Sequence, residues 1–108
     1  MIEILGSGWV RFRFEEATDS TAFLVGDFND WDETSHPMAR QDDGGHVALL
    51  HLEPGSYEFK YKTGSLWFND RAAHEYARNP WGSENSVVTV PIDPLGATDA
   101  TPPPLPPQ

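Results

Sequence analysis

Strict alternation of apolar and polar residues is the main pattern along the chain. Val10, Phe12 and Phe14 fall on one side of a period of two and Arg11 and Arg13 on the other, which predicts a half-buried strand over residues 8–15. An apolar run from Ala22 to Val25 stops at Gly26, and a second run, His46 to Leu52, sets Ala48, Leu50 and Leu52 on a shared face. Pro54-Gly55 marks a turn. From Ser56 to Thr63, Tyr57, Phe59 and Tyr61 alternate with Glu58, Lys60 and Lys62; Gly64-Ser65 then precedes Leu66-Trp67-Phe68, a spacing that predicts a β-hairpin. Asn85 to Pro91 supplies a last strand through Val87, Val88 and Val90, while Ala72 to Arg78 is expected to form one helical turn. Six or seven short strands, punctuated by Gly, Asp, Asn and Pro, predict an all-β fold: an antiparallel β-sandwich of immunoglobulin-like size.

Composition narrows this to one small domain. The chain has 108 residues, of which 38% are hydrophobic, and seven of its ten prolines (Pro91, Pro94, Pro102, Pro103, Pro104, Pro106 and Pro107) crowd into the C-terminal end. The expected organisation is a sandwich over residues 1–91 followed by a Pro-rich disordered tail over 92–108, which has no aromatic residue with which to build a core. Seventeen acidic residues against seven basic ones leave a net charge of −10, which repels nucleic acid and anionic membranes over most of the surface. Cysteine is absent, so disulfides and thiolate chemistry are excluded. Met1 to Leu5 carries Glu3 and no basic residue, and no apolar run approaches the length of a signal-peptide core or a membrane span, so the expected location is cytoplasmic.

Little in the chain calls for catalysis. His36, His46, His51 and His74 lack paired metal-ligand spacing, so neither a metal nor any other cofactor is expected. The carboxylates of Asp27, Asp30, Asp32, Glu33, Asp42 and Asp43 cluster in turn-like segments, whereas glycoside hydrolysis needs two of them facing each other across a cleft. There is no Gly-flanked nucleophile and no phosphate-cradling glycine loop.

Four tryptophans in a small acidic domain are the unusual feature, because Trp31, Trp67 and Trp81 all fall at polar strand ends or loops. A tryptophan in such a place either closes the end of a sandwich or lies open on its surface. Lys60 alternates with the apolar face of its strand and therefore points outward, one strand from Trp67 across the hairpin. Indoles beside hydrogen-bonding groups such as Lys60 and Asn85 suit a pyranose, which offers an apolar C–H face for stacking and a rim of hydroxyls.

These residues resemble carbohydrate-binding module family 48, the isoamylase N-terminal-like and glycogen-binding domains found, for example, in the β subunit of AMP-activated protein kinase. The resemblance runs from about Thr21 to Pro91 through Gly26-Asp27-Phe28-Asn29-Asp30-Trp31, Leu50-His51-Leu52-Glu53-Pro54-Gly55, Tyr57-Glu58-Phe59-Lys60-Tyr61, Trp67 with Asp70, and Gly82-Ser83-Glu84-Asn85. It implies a non-catalytic site for α-1,4-linked glucan (glycogen, starch or maltooligosaccharides). In that site Trp31 and Trp67 are the stacking platforms, Lys60 the hydroxyl-binding lysine and Asn85 the amide that grips adjacent hydroxyls. Ser83 matches a threonine of the family and Trp81 a leucine that threads beside the ligand. Thr63-Gly64-Ser65-Leu66 departs from the family's Asp-Gly turn, Arg71 replaces a proline, and His46 replaces an aromatic such as tryptophan.

Two other readings compete. The same aromatics could form a hot spot for a protein partner, catalytic or regulatory, with the proline tail as a second contact. An enzyme of glucan metabolism is disfavoured by the size of the chain and the missing carboxylate pair.

Overall fold

A computed structural model describes residues 1–16, 20–80 and 82–92. Among the described residues, nine strands form two antiparallel sheets. The first is ordered β1-β2-β5-β4, from β1 (Ile2–Gly6), β2 (Trp9–Phe14), β4 (Ala39–Arg40) and β5 (His46–His51). The second is ordered β3-β6-β9-β8, from β3 (Ala22–Gly26), β6 (Gly55–Thr63), β8 (Glu75–Arg78) and β9 (Glu84–Val90), with β7 (Leu66–Phe68) also paired to β6. This is the expected β-sandwich.

The alternating strands build the core as their period requires. Val10, Phe12 and Phe14 of β2 are buried against Leu24, Phe59, Tyr61 and Val88 of the opposite sheet. Phe12 meets Phe59 edge-on at 5.1 Å and Phe14 stacks on Tyr61 at 4.9 Å. Truncating a buried ring of this kind to alanine costs about 3–5 kcal/mol. The Tyr61 phenol donates to Asp70 Oδ2 at 2.6 Å, and burial together with that carboxylate pushes its pKa well above the ordinary tyrosine value. Asp70 in turn accepts the Ala72 amide at 2.7 Å, which anchors the segment after β7 where Arg71 stands in place of a proline.

The long strand β6 decides where the outward residues meet. Along one edge it pairs β3 through residues 59–63; along the other it pairs β9 through residues 55–59 and then β7 through residues 61–63. The start of β9 and the end of β7 therefore lie on one edge of β6, with Lys60 between them, and the outward faces of all three strands form a continuous surface.

One expectation fails. Residues 75–78 of the predicted helical turn are strand β8, paired from Glu75↔Val87 to Arg78↔Glu84. The helix-forming pair Ala72-Ala73 is overridden by the open edge of β9, whose backbone groups need partners; His74 N extends this pairing to Val87 O at 3.1 Å. Strands β1 and β4 were not predicted either. β1 reaches β2 through Gly6-Ser7-Gly8, all three at positive φ (93°, 53° and 85°), a tight turn that the two glycines permit. The proposed tail lies outside the described residues beyond Ile92; the last strand ends at Val90.

Candidate functional site

The loop after β3 carries the first indole. Gly26 is required there by close approach: a Cβ would lie 2.5 Å from Glu58 O and 2.7 Å from the Phe59 side chain. A 3-10 turn over Asp27–Asn29 follows, then Asp30 and Trp31 at φ 55° and 58°, the left-handed region that a bulky residue enters only when held. Asn29 does much of the holding. Its Oδ1 accepts from Gly26 N at 3.0 Å, while its Nδ2 donates to Leu24 O at 3.0 Å and contacts His36 Nδ1 at 2.9 Å. Trp31 N closes the turn on Gly26 O at 2.9 Å, and its indole Nε1 donates to Asp27 Oδ1, also at 2.9 Å. The other Asp27 oxygen accepts from Glu58 N at 2.7 Å, which ties the indole to strand β6. Further along, the Thr34 backbone N–H, followed by its hydroxyl, holds the Asp32 carboxyl below the ordinary carboxylate range.

The second indole rides on the hairpin. Thr63 pairs with Leu66 around a two-residue loop, and Gly64 at φ 58° suits the primed turns that such hairpins use, so Gly64-Ser65 closes a regular hairpin. Trp67 then stands directly across from Lys62, pointing outward, with 42% of its surface exposed. The Lys62 ammonium lies over its ring, 5.5 Å from the centroid.

The loop into β9 is closed by Asn79, whose side chain accepts from Ser83 N at 3.1 Å and donates to Ser83 Oγ at 2.8 Å and to Asn85 Oδ1 at 3.0 Å. Asn85 is only 8% exposed, and its Nδ2 donates to Glu58 Oε1 at 3.0 Å. Among the described residues its amide thus has one N–H and one oxygen lone pair already engaged, which leaves it less to offer than an open asparagine.

Trp31, Lys60, Trp67, Ser83 and Asn85 line one groove of about 700 Å³ on the outer face of the second sheet. Of the residues singled out in the sequence, only Trp81 lies outside the described residues. The groove adds Asp27, Glu33, Glu58, Asn79 and Pro80, which sequence reasoning did not assign. Alternation along β6 already marked Glu58 as a neighbour of Lys60 on the outer face, and Asp27 lay within the Gly26–Trp31 motif. Nothing local signalled Glu33, whose partner Lys62 lies on β6, and Asn79 is bonded within its own loop to Ser83 and to Asn85 at the start of β9. Among the described residues, no group of three His, Cys, Asp or Glu could hold a metal ion. The groove therefore offers two indoles for stacking, an ammonium, a hydroxyl and a buried amide for hydrogen bonding, and carboxylates that can accept from hydroxyls.

A sandwich with such a face is the architecture of a carbohydrate-binding module. The family model of carbohydrate-binding module 48 (isoamylase N-terminal domain) matches residues 6–86, and the chain belongs to this family. It is 36% identical over 75 residues to the 1,4-α-glucan branching enzyme GlgB of Photobacterium profundum, covering 68% of this chain and 10% of that protein. It is also 34% identical over 71 residues to the chloroplastic protein FLOURY ENDOSPERM 6 of Oryza sativa subsp. japonica, covering 66% of this chain and 13% of that one. A shorter match, 53% over 34 residues, links it to the 1,4-α-glucan-branching enzyme of Saccharomyces cerevisiae, with 31% of this chain and 5% of the enzyme covered. The chain spans about a tenth of the length of the first curated relatives it matches. The module is a carbohydrate-binding unit, non-catalytic in itself, that in branching enzymes forms part of a larger enzyme.

Proposed function

We propose that the chain binds α-1,4-linked glucan, as glycogen, starch or maltooligosaccharide, without acting on it. The observation that carries this reading is the placement of Trp31, from the loop after β3, and Trp67, from strand β7, in a single groove with Lys60. Two stacking surfaces along one groove suit a polymer of repeating pyranose rings, and the groups between them suit its hydroxyls. The relatives named for 1,4-α-glucan branching support the choice of glucan. An open, wet groove gains little beyond stacking once desolvation and ordering are met, so the expected Kd for maltoheptaose lies between about 10 μM and 1 mM. Titration of tryptophan fluorescence with maltoheptaose, beside retardation in gels containing glycogen, tests this. Cellulose should bind far less well. Unretarded migration together with unchanged fluorescence up to millimolar maltoheptaose overturns the reading.

A further inference from the structure

We propose that Glu33 and Lys62 form a positioning pair that holds the two indoles of the groove in a single arrangement. The inference rests on the reading of Trp31 and Trp67 as sugar platforms and adds residues which that reading does not use. Glu33 lies two residues beyond Trp31, and its Oε1 meets Lys62 Nζ at 2.5 Å. Lys62 lies directly across the hairpin from Trp67, with its ammonium over that ring. One cation thus joins the loop that carries the first indole to the strand pair that carries the second.

The bond patterns show why this link matters. Among the described residues, Glu33 is the only side chain within 32–35 that reaches the sheet; Asp32 is satisfied by Thr34, and Ser35 contacts His36. Trp67 sits on a three-residue strand that, among the described residues, pairs with β6 alone, and Lys62 is its cross-strand neighbour there. Lys62 is absent from the groove lining, whereas Glu33 is present, so the ammonium works from outside the groove. An ammonium over one face of the indole leaves the opposite face for a sugar ring. The Lys62 side chain is 22% exposed and that of Glu33 50%, so the pair is open to screening by salt.

The test uses Glu33→Gln, Lys62→Met, the double variant and Lys62→Arg. Indole mobility is read from ¹⁵N relaxation of the Trp31 and Trp67 Nε1 groups without ligand, and maltoheptaose affinity by calorimetry at low and high salt. Either single substitution should raise the mobility of both indoles and weaken binding about two- to five-fold, the span open to an exposed ion pair. The double variant should bind no more weakly than either single one, and Lys62→Arg, which keeps the charge and stacks on indoles, should retain binding. Salt should weaken binding of this uncharged ligand by the natural chain and leave the double variant unaffected, with thermal midpoints nearly constant throughout. A purely structural pair would move the midpoint instead. If the natural chain binds no glucan but the substitutions still loosen both indoles, the pair stands and the sugar reading falls. Unaltered indole mobility overturns the pair, as do additive losses in the double variant or unchanged affinity in a chain that does bind.

Discussion

The indole Nε1 of Trp31 is held at 2.9 Å by Asp27 Oδ1, and the same carboxylate takes the Glu58 amide at 2.7 Å through its other oxygen. The indole is thereby oriented by the protein itself. Asp27→Ala removes both bonds and should lower stability by about 1–2 kcal/mol, at the usual net worth of an intramolecular hydrogen bond. It should also weaken glucan binding several-fold by freeing the indole. Asp27→Asn keeps one acceptor oxygen and should fall between the two. Thermal midpoints and maltoheptaose titrations of the three chains check this; an alanine variant with native affinity would show that the indole needs no such restraint.

Trp67→Ala should remove most glucan binding while leaving the midpoint nearly unchanged, because Trp67 is 42% exposed on a short edge strand. Phe59→Ala is the contrasting case. Phe59 is fully buried against Phe12, and its truncation should cost about 3–5 kcal/mol. Retained binding, or a large fall in midpoint, in the Trp67 variant would remove Trp67 from the platform.

Gly26→Ala should damage both fold and site. The added methyl meets the Glu58 carbonyl oxygen at 2.5 Å and the Phe59 Cβ at 2.7 Å, neither of which can swing aside as a flexible side chain would. Forced overpacking of this kind costs about 1–3 kcal/mol. Since Gly26 O also receives the Trp31 amide at 2.9 Å, glucan affinity should fall with stability. Circular-dichroism melts and the same titration read the two losses together.

The legible parts of this molecule were those with a period of two and a local turn. The alternation in Trp9–Phe14 and Gly55–Thr63 was enough to place the central core strands and to turn Lys60 outward. Ile2, Glu3 and Ile4 carry the same alternation, but a stretch that short says nothing without β2 to pair against. Strand β8 was hidden because its reason for being extended lies in the edge of β9 and not in its own four residues. The same limit applies at the groove. Trp31 and Trp67 stand out as indoles in polar surroundings, whereas Glu33 gains its role only from Lys62, 29 positions away.

His46 supplies a pH-dependent prediction that is independent of the groove. It stands at an aromatic position, only 1% exposed, with its ring 6.0 Å from that of Phe14. Burial first, then the charges of Arg40 and Arg13, lower its pKa from the usual 6.5. Above about pH 6.5 the ring is neutral in both folded and unfolded chains and costs nothing through protonation. As pH falls below that value the unfolded histidine takes up a proton that the folded one resists, so stability declines until the pH reaches the lowered folded value. In addition, Nδ1 is buried with no hydrogen-bond partner among the described residues, a penalty of about 1–3 kcal/mol at any pH. His46→Phe removes both costs with a ring one atom larger, at a position where an aromatic is expected. The variant should melt higher at pH 7.5, and its advantage should widen between pH 6.5 and 5. Melting curves of both chains across that range decide the matter: midpoints that run parallel would mean that His46 titrates alike in the folded and unfolded states.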